Sequence, residues 1–165
     1  MTLTASLRVH PFEAHHASDV AALVLHIQQG EFGSPVTLAD QPDLADIPAH
    51  YLVGRGGFWV GLDGAKVVGS VGLLDAGDCG ILRKMFVHAD YRGRGTGLAQ
   101  ALLEALLGHA REKGLGAVTL GTQERLRAAR RFYERNGFRA IDPAELPPGF
   151  LRMKVDTHFY RLDLP

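Results

Sequence analysis

A short segment rich in glycine and arginine holds the residues of this sequence with the clearest chemical meaning. Its members, which directly precede an apolar helical pattern, are Arg92, Gly93, Arg94, Gly95, Thr96 and Gly97. Glycines at alternate positions leave room for a ligand beside the backbone, and N–H groups at a helix start attract anions. Arginine side chains add charge-assisted hydrogen bonds to phosphate oxygens. The segment favours a phosphate site, although a tight turn with solvated arginines uses the same residue types.

Two familiar phosphate-binding loops do not fit this segment. A Walker loop requires a Gly-Lys-Ser/Thr sequence, and none follows here. In a dinucleotide-binding turn read from Gly95, Gly97 fits but Gln100 takes the place of the third glycine. That turn also follows the first strand of its unit, whereas this segment follows several predicted strands. We therefore expect a phosphate-bearing ligand of another class.

Hydrophobic periodicity and turn residues predict the elements that position the segment. The predicted strands are Leu3–Val9, 58–62, 65–74, 79–88, 117–122, 150–155 and 159–164. The predicted helices begin at Ser18 or Asp19, at a capping box of Thr37 and Asp40, at Leu98, and at Leu126. Asn136-Gly137 ends the last helix, and Phe138 is placed to fold back against it. This order predicts a mixed α/β sheet whose crossover helix follows the glycine-rich turn.

With these motifs the sequence resembles the GNAT superfamily of acetyl-CoA-dependent N-acetyltransferases. Residues 92–97 are similar to the family signature (Gln/Arg)-x-x-Gly-x-(Gly/Ala), Met85-Phe86-Val87 to the end of its fourth strand, and Ala128–Phe138 to its aromatic helix. The element order agrees from residue 3 to 164. The resemblance implies one domain over residues 1–165. It also implies a mixed, mostly antiparallel sheet of six to seven strands, with splayed central strands and about four flanking helices.

The resemblance further implies that acetyl-CoA is the co-substrate and that no metal is needed. Its pantetheine arm would lie between the fourth and fifth strands and pair with backbone groups of Met85, Phe86 and Val87, with the pyrophosphate on residues 92–97. The Met85 amide would polarise the thioester carbonyl. The family often has an asparagine before the helix that carries Ala129, itself expected at the cofactor. Here Leu126 takes that place, and Thr122 is a substitute contact.

The resemblance implies a catalytic acid but does not identify the general base. Tyr133 matches the family tyrosine that points to the thioester sulfur, and a phenol can donate a proton at neutral pH. A core aromatic anchoring the helix is the alternative. Many family members use a glutamate of the fourth strand as general base. The fourth strand of this sequence has no carboxylate, so Glu31 is the first candidate for that role. Weaker candidates are Asp75, Asp78, His88 and His158, and a water chain without a dedicated base is equally open.

Charge is distributed unevenly along a chain whose net charge is zero. Residues 83–139 carry 12 basic and 5 acidic side chains, whereas residues 1–50 carry 1 basic and 6 acidic ones. The positive stretch suits a ligand with several phosphates. The negative one suggests a cationic acceptor such as a polyamine, an aminoglycoside-like amine or a basic peptide terminus. A solvated acidic helix face explains the same residues.

Composition narrows the remaining function classes. A chain of 165 residues with 46% apolar residues and a single cysteine, Cys79, is typical of a folded domain without disulfides or a thiolate zinc site. We expect a cytoplasmic protein, monomeric or homodimeric, without a membrane or nucleic-acid partner. A small-molecule or peptide amine is the expected partner. The main rival is a non-catalytic acyl-CoA-binding module of the same fold. A nucleic-acid face on the arginine-rich helix is less favoured, because its arginines spread around the axis.

Overall fold

The computed structural model describes residues 6–93 and 95–165, which build a seven-stranded sheet. The strands are β1 (Leu7–Pro11), β2 (Gly57–Asp63), β3 (Lys66–Asp75), β4 (Cys79–Val87), β5 (Ala117–Thr122), β6 (Arg139–Ile141) and β7 (His158–Asp163). Their order in the sheet is β1-β2-β3-β4-β5-β7-β6. Within the described ranges β4 and β5 form a parallel pair, and every other pairing is antiparallel. The predicted mixed, mostly antiparallel sheet is confirmed.

Helices cover both faces of the sheet. They are α1 (Ala17–Leu25), continued by a π-helix (His26–Glu31), α2 (Pro42–Ala45), α3 (Ile47–Tyr51), α4 (Leu98–Glu112) and α5 (Arg127–Arg135). One core lies between the sheet and α4, where Leu98, Leu102 and Leu106 are fully buried as their spacing predicts. The other core lies under α1 and α3, around Val24 and Tyr51. In the part of the chain that the structure describes, no helix is long and apolar enough to cross a membrane.

Several predicted boundaries in the N-terminal half are wrong. Strand β1 begins at Leu7 and ends at Pro11; residues 3–5 of the predicted strand lie outside the described ranges. Ser18 and Asp19 do not cap α1, because a 3-10 turn already leads into the helix and places His16 at the N-cap. The helix continues as a π-helix and ends at Glu31, next to Gly30.

The Thr37–Asp40 motif closes a turn rather than starting a helix. The Asp40 carboxylate accepts hydrogen bonds from the Thr37 N–H at 2.9 Å and from its hydroxyl at 3.0 Å. Helix α2 begins only at Pro42, with Gln41 at its N-cap. Residues 40–52 accordingly form two short helices after a turn, as the broken pattern of the sequence indicates.

The tail differs from the prediction as well. Residues 150–155 are not a strand; they belong to the loop between β6 and β7, and Leu151 and Val155 are exposed. The strand that closes the sheet edge is β6, over Arg139–Ile141, which follows the predicted end of α5. There Gly137 adopts a φ of 90°, and the Phe138 N–H donates to the Tyr133 carbonyl at 3.1 Å. This confirms the predicted helix stop.

Candidate active site

A cleft opens where β4 and β5 separate. The two strands pair only between Cys79–Ile81 and Ala117–Thr119, although β4 continues to Val87 and β5 to Thr122. The space between them belongs to a cavity of about 1010 Å³, large enough for a sizeable ligand. The prediction that the central strands splay is confirmed. Cys79 is buried at the paired end, and burial raises the pKa of its thiol.

A bulge in β4 turns one backbone amide into this cleft. Lys84 has a φ of 56°, and its register with β3 shifts there. The Ser70 hydroxyl of β3 donates to the Lys84 carbonyl at 2.7 Å, so this carbonyl points away from the cleft. In a trans peptide the following N–H points the opposite way. The Met85 N–H is therefore directed to the open edge of β4, where a developing negative charge could be stabilised.

The same reasoning applies to the next backbone groups of β4. The His88 N–H donates to Val68 of β3 at 2.9 Å, so the Val87 carbonyl faces the cleft side. It accepts a hydrogen bond from Arg92 Nε at 2.8 Å. Phe86 is paired with Ser70 of β3. Among the three residues predicted to meet pantetheine, Met85 thus offers its amide, whereas the Val87 carbonyl already has a partner.

The glycine-rich turn leads from β4 into α4. Gly93 and Gly97 have φ values of 100° and 70°, which favour glycine. The Thr96 hydroxyl donates to the Tyr91 carbonyl at 2.7 Å and so holds the turn together. Arg94 lies outside the described residues. The turn borders the cavity through Arg92, Gly93 and Gly97.

Anion-binding groups converge at the start of α4. The N–H groups of Ala99 and Gln100 have no hydrogen-bond acceptor within the described ranges, and both residues line the cavity. A Cβ at Gly93 or Gly95 would meet nothing within 4 Å, so the backbone there is open to a ligand. A helix of 15 residues adds a favourable dipole. These features fit a phosphate-bearing ligand.

Glu31 lies beside this turn. Its carboxylate forms an ion pair with Arg92 at 2.7 Å, at the C-terminal end of the π-helix. Glu31 is not among the described residues that line the cavity. A guanidinium has five N–H donors, so Arg92 keeps donors for an anion while contacting both Glu31 and Val87. The structure thus associates Glu31 with the phosphate end of the cleft.

Tyr133 lines the cleft from α5. Its side chain is 6% exposed and contacts the ring of Phe138, with 5.6 Å between the centroids. Its hydroxyl forms no hydrogen bond with the described residues, and burial alone shifts its pKa. Burial raises the pKa of Tyr133 well above its ordinary value, so the phenol keeps its proton at neutral pH. Thr122, Leu126 and Ala129 line the same cavity.

A buried ion pair anchors the bulge of β4 to α2. Lys84 Nζ lies 3.4 Å from Asp43, whose carboxylate also accepts a 2.5 Å hydrogen bond from the fully buried Tyr51 hydroxyl. Burial alone would raise the pKa of Asp43, but the Lys84 ammonium and the Tyr51 hydroxyl hold it below its usual value. The ion pair of Asp43 and Lys84 therefore holds in place the bulge that directs the Met85 N–H into the cleft.

Asp43→Asn should lower the free energy of unfolding by about 3 kcal/mol, because it leaves the Lys84 ammonium buried without its counterion. Since the pKa of Asp43 is lowered in the fold, its contribution is complete at neutral pH and is lost as the pH falls below about 4. Urea unfolding at several pH values checks both statements. Asp78→Asn, in an exposed turn, is the matched control. Equal stability of the two variants at pH 7 would contradict the prediction.

Two acidic residues of the cleft, Glu104 and Asp156, are absent from the sequence-based candidates. Asp156, in the loop before β7, lines the cavity, and its Oδ2 lies 2.7 Å from where a Cβ of Gly121 would be. Arg83 of β4 also lines it and approaches Met153 Sδ at 3.7 Å. No local sequence pattern marks either residue. The weaker candidate Asp75 is bound to Arg55 at 3.4 Å.

The remaining base candidates do not line this cleft. Asp78, His88 and His158 are not among its described lining residues. His88 Nδ1 accepts the Asp90 N–H at 3.1 Å, and His158 contacts the Thr157 hydroxyl at 2.9 Å. Across residues 6–93 and 95–165, no three His, Cys, Asp or Glu side chains are grouped so as to hold a metal ion.

The known proteins that this chain resembles are described as acetyltransferases. The chain is 36% identical over 121 residues to "Probable N-acetyltransferase family 8 member 5" of Mus musculus, which covers 70% of this chain and 53% of that protein. The chain thus spans about half the length of the curated relatives it matches. A solved acetyltransferase of the GNAT family from Staphylococcus aureus Mu50 has a TM-score of 0.90 at 30% identity, covering 96% of this chain and 99% of that one.

A more distant solved structure shares the fold. A putative acetyltransferase from Salmonella typhimurium, solved with its cofactor acetyl-CoA, has a TM-score of 0.74 at 20% identity, covering 98% of this chain and 95% of that one. The family model described as "Acetyltransferase (GNAT) family" matches residues 22–138. This match takes in the split strands, the glycine-rich turn and the helix that carries Tyr133. The chain belongs to the acetyltransferase (GNAT) family.

Proposed function

We propose that the chain is an N-acetyltransferase that moves an acetyl group from acetyl-CoA to a primary amine. The observation that carries the proposal is the Met85 amide, which the Lys84 bulge directs into a cleft between two separated strands. One end of that cleft has N–H groups of a helix start, and its wall has a tyrosine hydroxyl. Neither has a hydrogen-bond partner within residues 6–93 and 95–165. Family membership and a fold neighbour solved with acetyl-CoA support it.

The residues of the turn are suited to hold the phosphates of the cofactor. N–H groups of Ala99 and Gln100, the open backbone at Gly93 and Gly95, and the guanidinium of Arg92 supply donors without an intervening side chain. We assign the pantetheine arm to the open edge of β4 at Met85 and Phe86, with Thr122 and Ala129 on the opposite wall. Acetyl-CoA supplies the activated acetyl thioester.

The chain's own groups then stabilise direct attack in a ternary complex. The amine nitrogen forms a bond to the thioester carbonyl carbon while the carbon–sulfur bond breaks. The Met85 N–H donates to the carbonyl oxygen as negative charge develops there. The Tyr133 hydroxyl donates its proton to the departing sulfur and regains one from solvent, while the acetylated nitrogen loses a proton to solvent as the amide forms. No covalent acetyl-enzyme is needed, because both substrates reach the same cleft.

The residues that line the cleft indicate the charge of the acceptor more directly than the net charge of residues 1–50 does. None of the six acidic residues of that stretch is among the described lining residues; Glu31 is paired with Arg92 and Asp43 with Lys84. The hypothesis of a cationic acceptor therefore loses its support. Arg83, partly buried, lines the cleft and has no ion-pair partner among the described residues. It favours an amine that also carries an anionic group.

A screen of acetyl-CoA turnover across amines tests the proposed function. Release of CoA thiol should rise at least about 100-fold over the amine-free rate with one class of primary amine. Amino acids should show a lower KM than their uncharged amides, because the amide lacks the carboxylate that Arg83 would bind. Polyamines complete the panel. Tight acetyl-CoA binding without release by any amine would favour the rival, a non-catalytic acyl-CoA-binding module.

A further inference from the structure

We propose that Asp156 is the general base that takes the proton from the acceptor ammonium. The inference rests on the proposed acetyl transfer and adds the residue that this transfer lacks. Acetyl transfer needs a neutral amine, and β4, over Cys79–Val87, contains no carboxylate. The base must therefore come from another element that reaches the cleft.

The loop before β7 brings Asp156 to the split between the strands. Gly121 of β5 lies two residues past Thr119, the last residue that pairs with β4. A Cβ at Gly121 would lie 2.7 Å from Asp156 Oδ2 and 3.2 Å from the ring of Phe159. Glycine at this position is thus what allows the carboxylate to lie directly on the splayed strand. Asp156 lines the same cavity as Met85 and Tyr133.

The Asp156 carboxylate retains the capacity to accept a proton. Within the described ranges its hydrogen bond comes from the Met153 N–H, 3.2 Å from Oδ2, and it takes part in no ion pair. The charged groups that face it are Arg83 of β4 and Arg152 of its own loop. Burial raises the pKa of Asp156, and the Met153 N–H and these two arginines only partly oppose it. A carboxylate of higher pKa is a stronger base towards an ammonium.

The other acidic groups near the cleft are already engaged. Glu104 accepts a hydrogen bond from Gln100 at 3.1 Å and lies on α4, at the phosphate end. Glu31 is paired with Arg92 at 2.7 Å, and Asp43 with Lys84 at 3.4 Å. Asp156 is therefore the carboxylate of the described cavity lining that takes part in no ion pair and lies at the opened edge of β5.

The proton balance of the step is simple. An N–H bond of the acceptor ammonium breaks, and its proton moves to an Asp156 carboxylate oxygen while the electron pair stays on nitrogen. That pair then forms the bond to the acetyl carbon, and the nitrogen releases its second proton to solvent as the amide forms. Asp156 returns the proton to solvent after the acetylated amine and CoA leave. No oxidant, reductant or metal enters this sequence.

Asp156→Asn tests the assignment with the amine that the wild-type protein acetylates fastest in the screen. We expect kcat to fall about 100-fold or more at pH 7, with the Kd of acetyl-CoA changed less than twofold. The rate of the variant should then rise about tenfold per pH unit towards the pKa of the amine, because only the neutral amine reacts. Asp163→Asn, an exposed aspartate of β7, is the matched control and should keep wild-type kcat.

Two results would overturn the assignment. One is a wild-type kcat and pH profile in Asp156→Asn. The other is a loss of activity by the same factor at every pH, which indicates that Asp156 only holds its loop. Gly121→Ala offers a second variant, since its Cβ displaces the carboxylate and should lower kcat while acetyl-CoA still binds. If the wild-type protein itself acetylates no amine, the proposed function fails instead, and the two failures are distinguishable.

Discussion

Tyr133→Phe should lower the kcat of acetyl transfer roughly 100-fold and leave the affinity for acetyl-CoA nearly unchanged. Tyr133 lines the cleft, its hydroxyl forms no hydrogen bond with the described residues, and it stays protonated because burial raises its pKa. Phenylalanine keeps the ring and its packing against Phe138 and Tyr160. The substitution therefore removes a proton donor and little else, which predicts a change in kcat rather than in binding or stability.

Steady-state release of CoA thiol gives kcat, and calorimetric titration with CoA gives the affinity. Tyr160→Phe is the matched control, since its hydroxyl donates to Glu134 at 3.0 Å and does not line the described cavity. That variant should keep kcat within about twofold. A wild-type kcat in Tyr133→Phe would remove the residue from the acid role and leave the sulfur to be protonated by solvent.

Structural features that depend on residues close together in the sequence could be predicted well. The Gly-Arg turn, the buried face of α4 and the stop after Asn136 depend on residues at most a few positions apart. Their patterns therefore carry enough information, and the structure has each of them. The π-helical form of residues 26–31 is also local, yet no sequence pattern distinguishes it from a continued α-helix.

Features set by contacts between distant segments could not be predicted. Lys84 has no sequence signal for a positive φ; the bulge depends on Ser70, 14 residues away, and on Asp43, which lies 41 positions earlier. Asp156 reaches β5 only because a loop folds over Gly121, 35 positions before it. A glycine within a strand indicates that another group approaches the strand backbone closely, but it does not identify that group. The same limit applies to the pair of Glu31 and Arg92.

Gly95→Val should abolish measurable binding of acetyl-CoA, a loss of at least about 100-fold in affinity. A Cβ at Gly95 meets no atom of the described residues within 4 Å, so a valine fits the folded chain and projects into open space. If that space receives the pyrophosphate, two methyl groups replace it there and the charge-assisted hydrogen bonds to the backbone and Arg92 cannot form. Each such bond contributes about 1.5–3 kcal/mol, so losing two accounts for the expected change.

Gly108→Val separates this effect from a general loss of stability. Gly108 lies in α4, also has nothing within 4 Å of a Cβ, and is roughly 16 Å along the helix from Gly97. Calorimetric titration with CoA and thermal unfolding of both variants should give similar Tm values but binding only in Gly108→Val. Intact binding in Gly95→Val would refute the phosphate assignment, because no anion held by this backbone could tolerate a β-branched side chain within it.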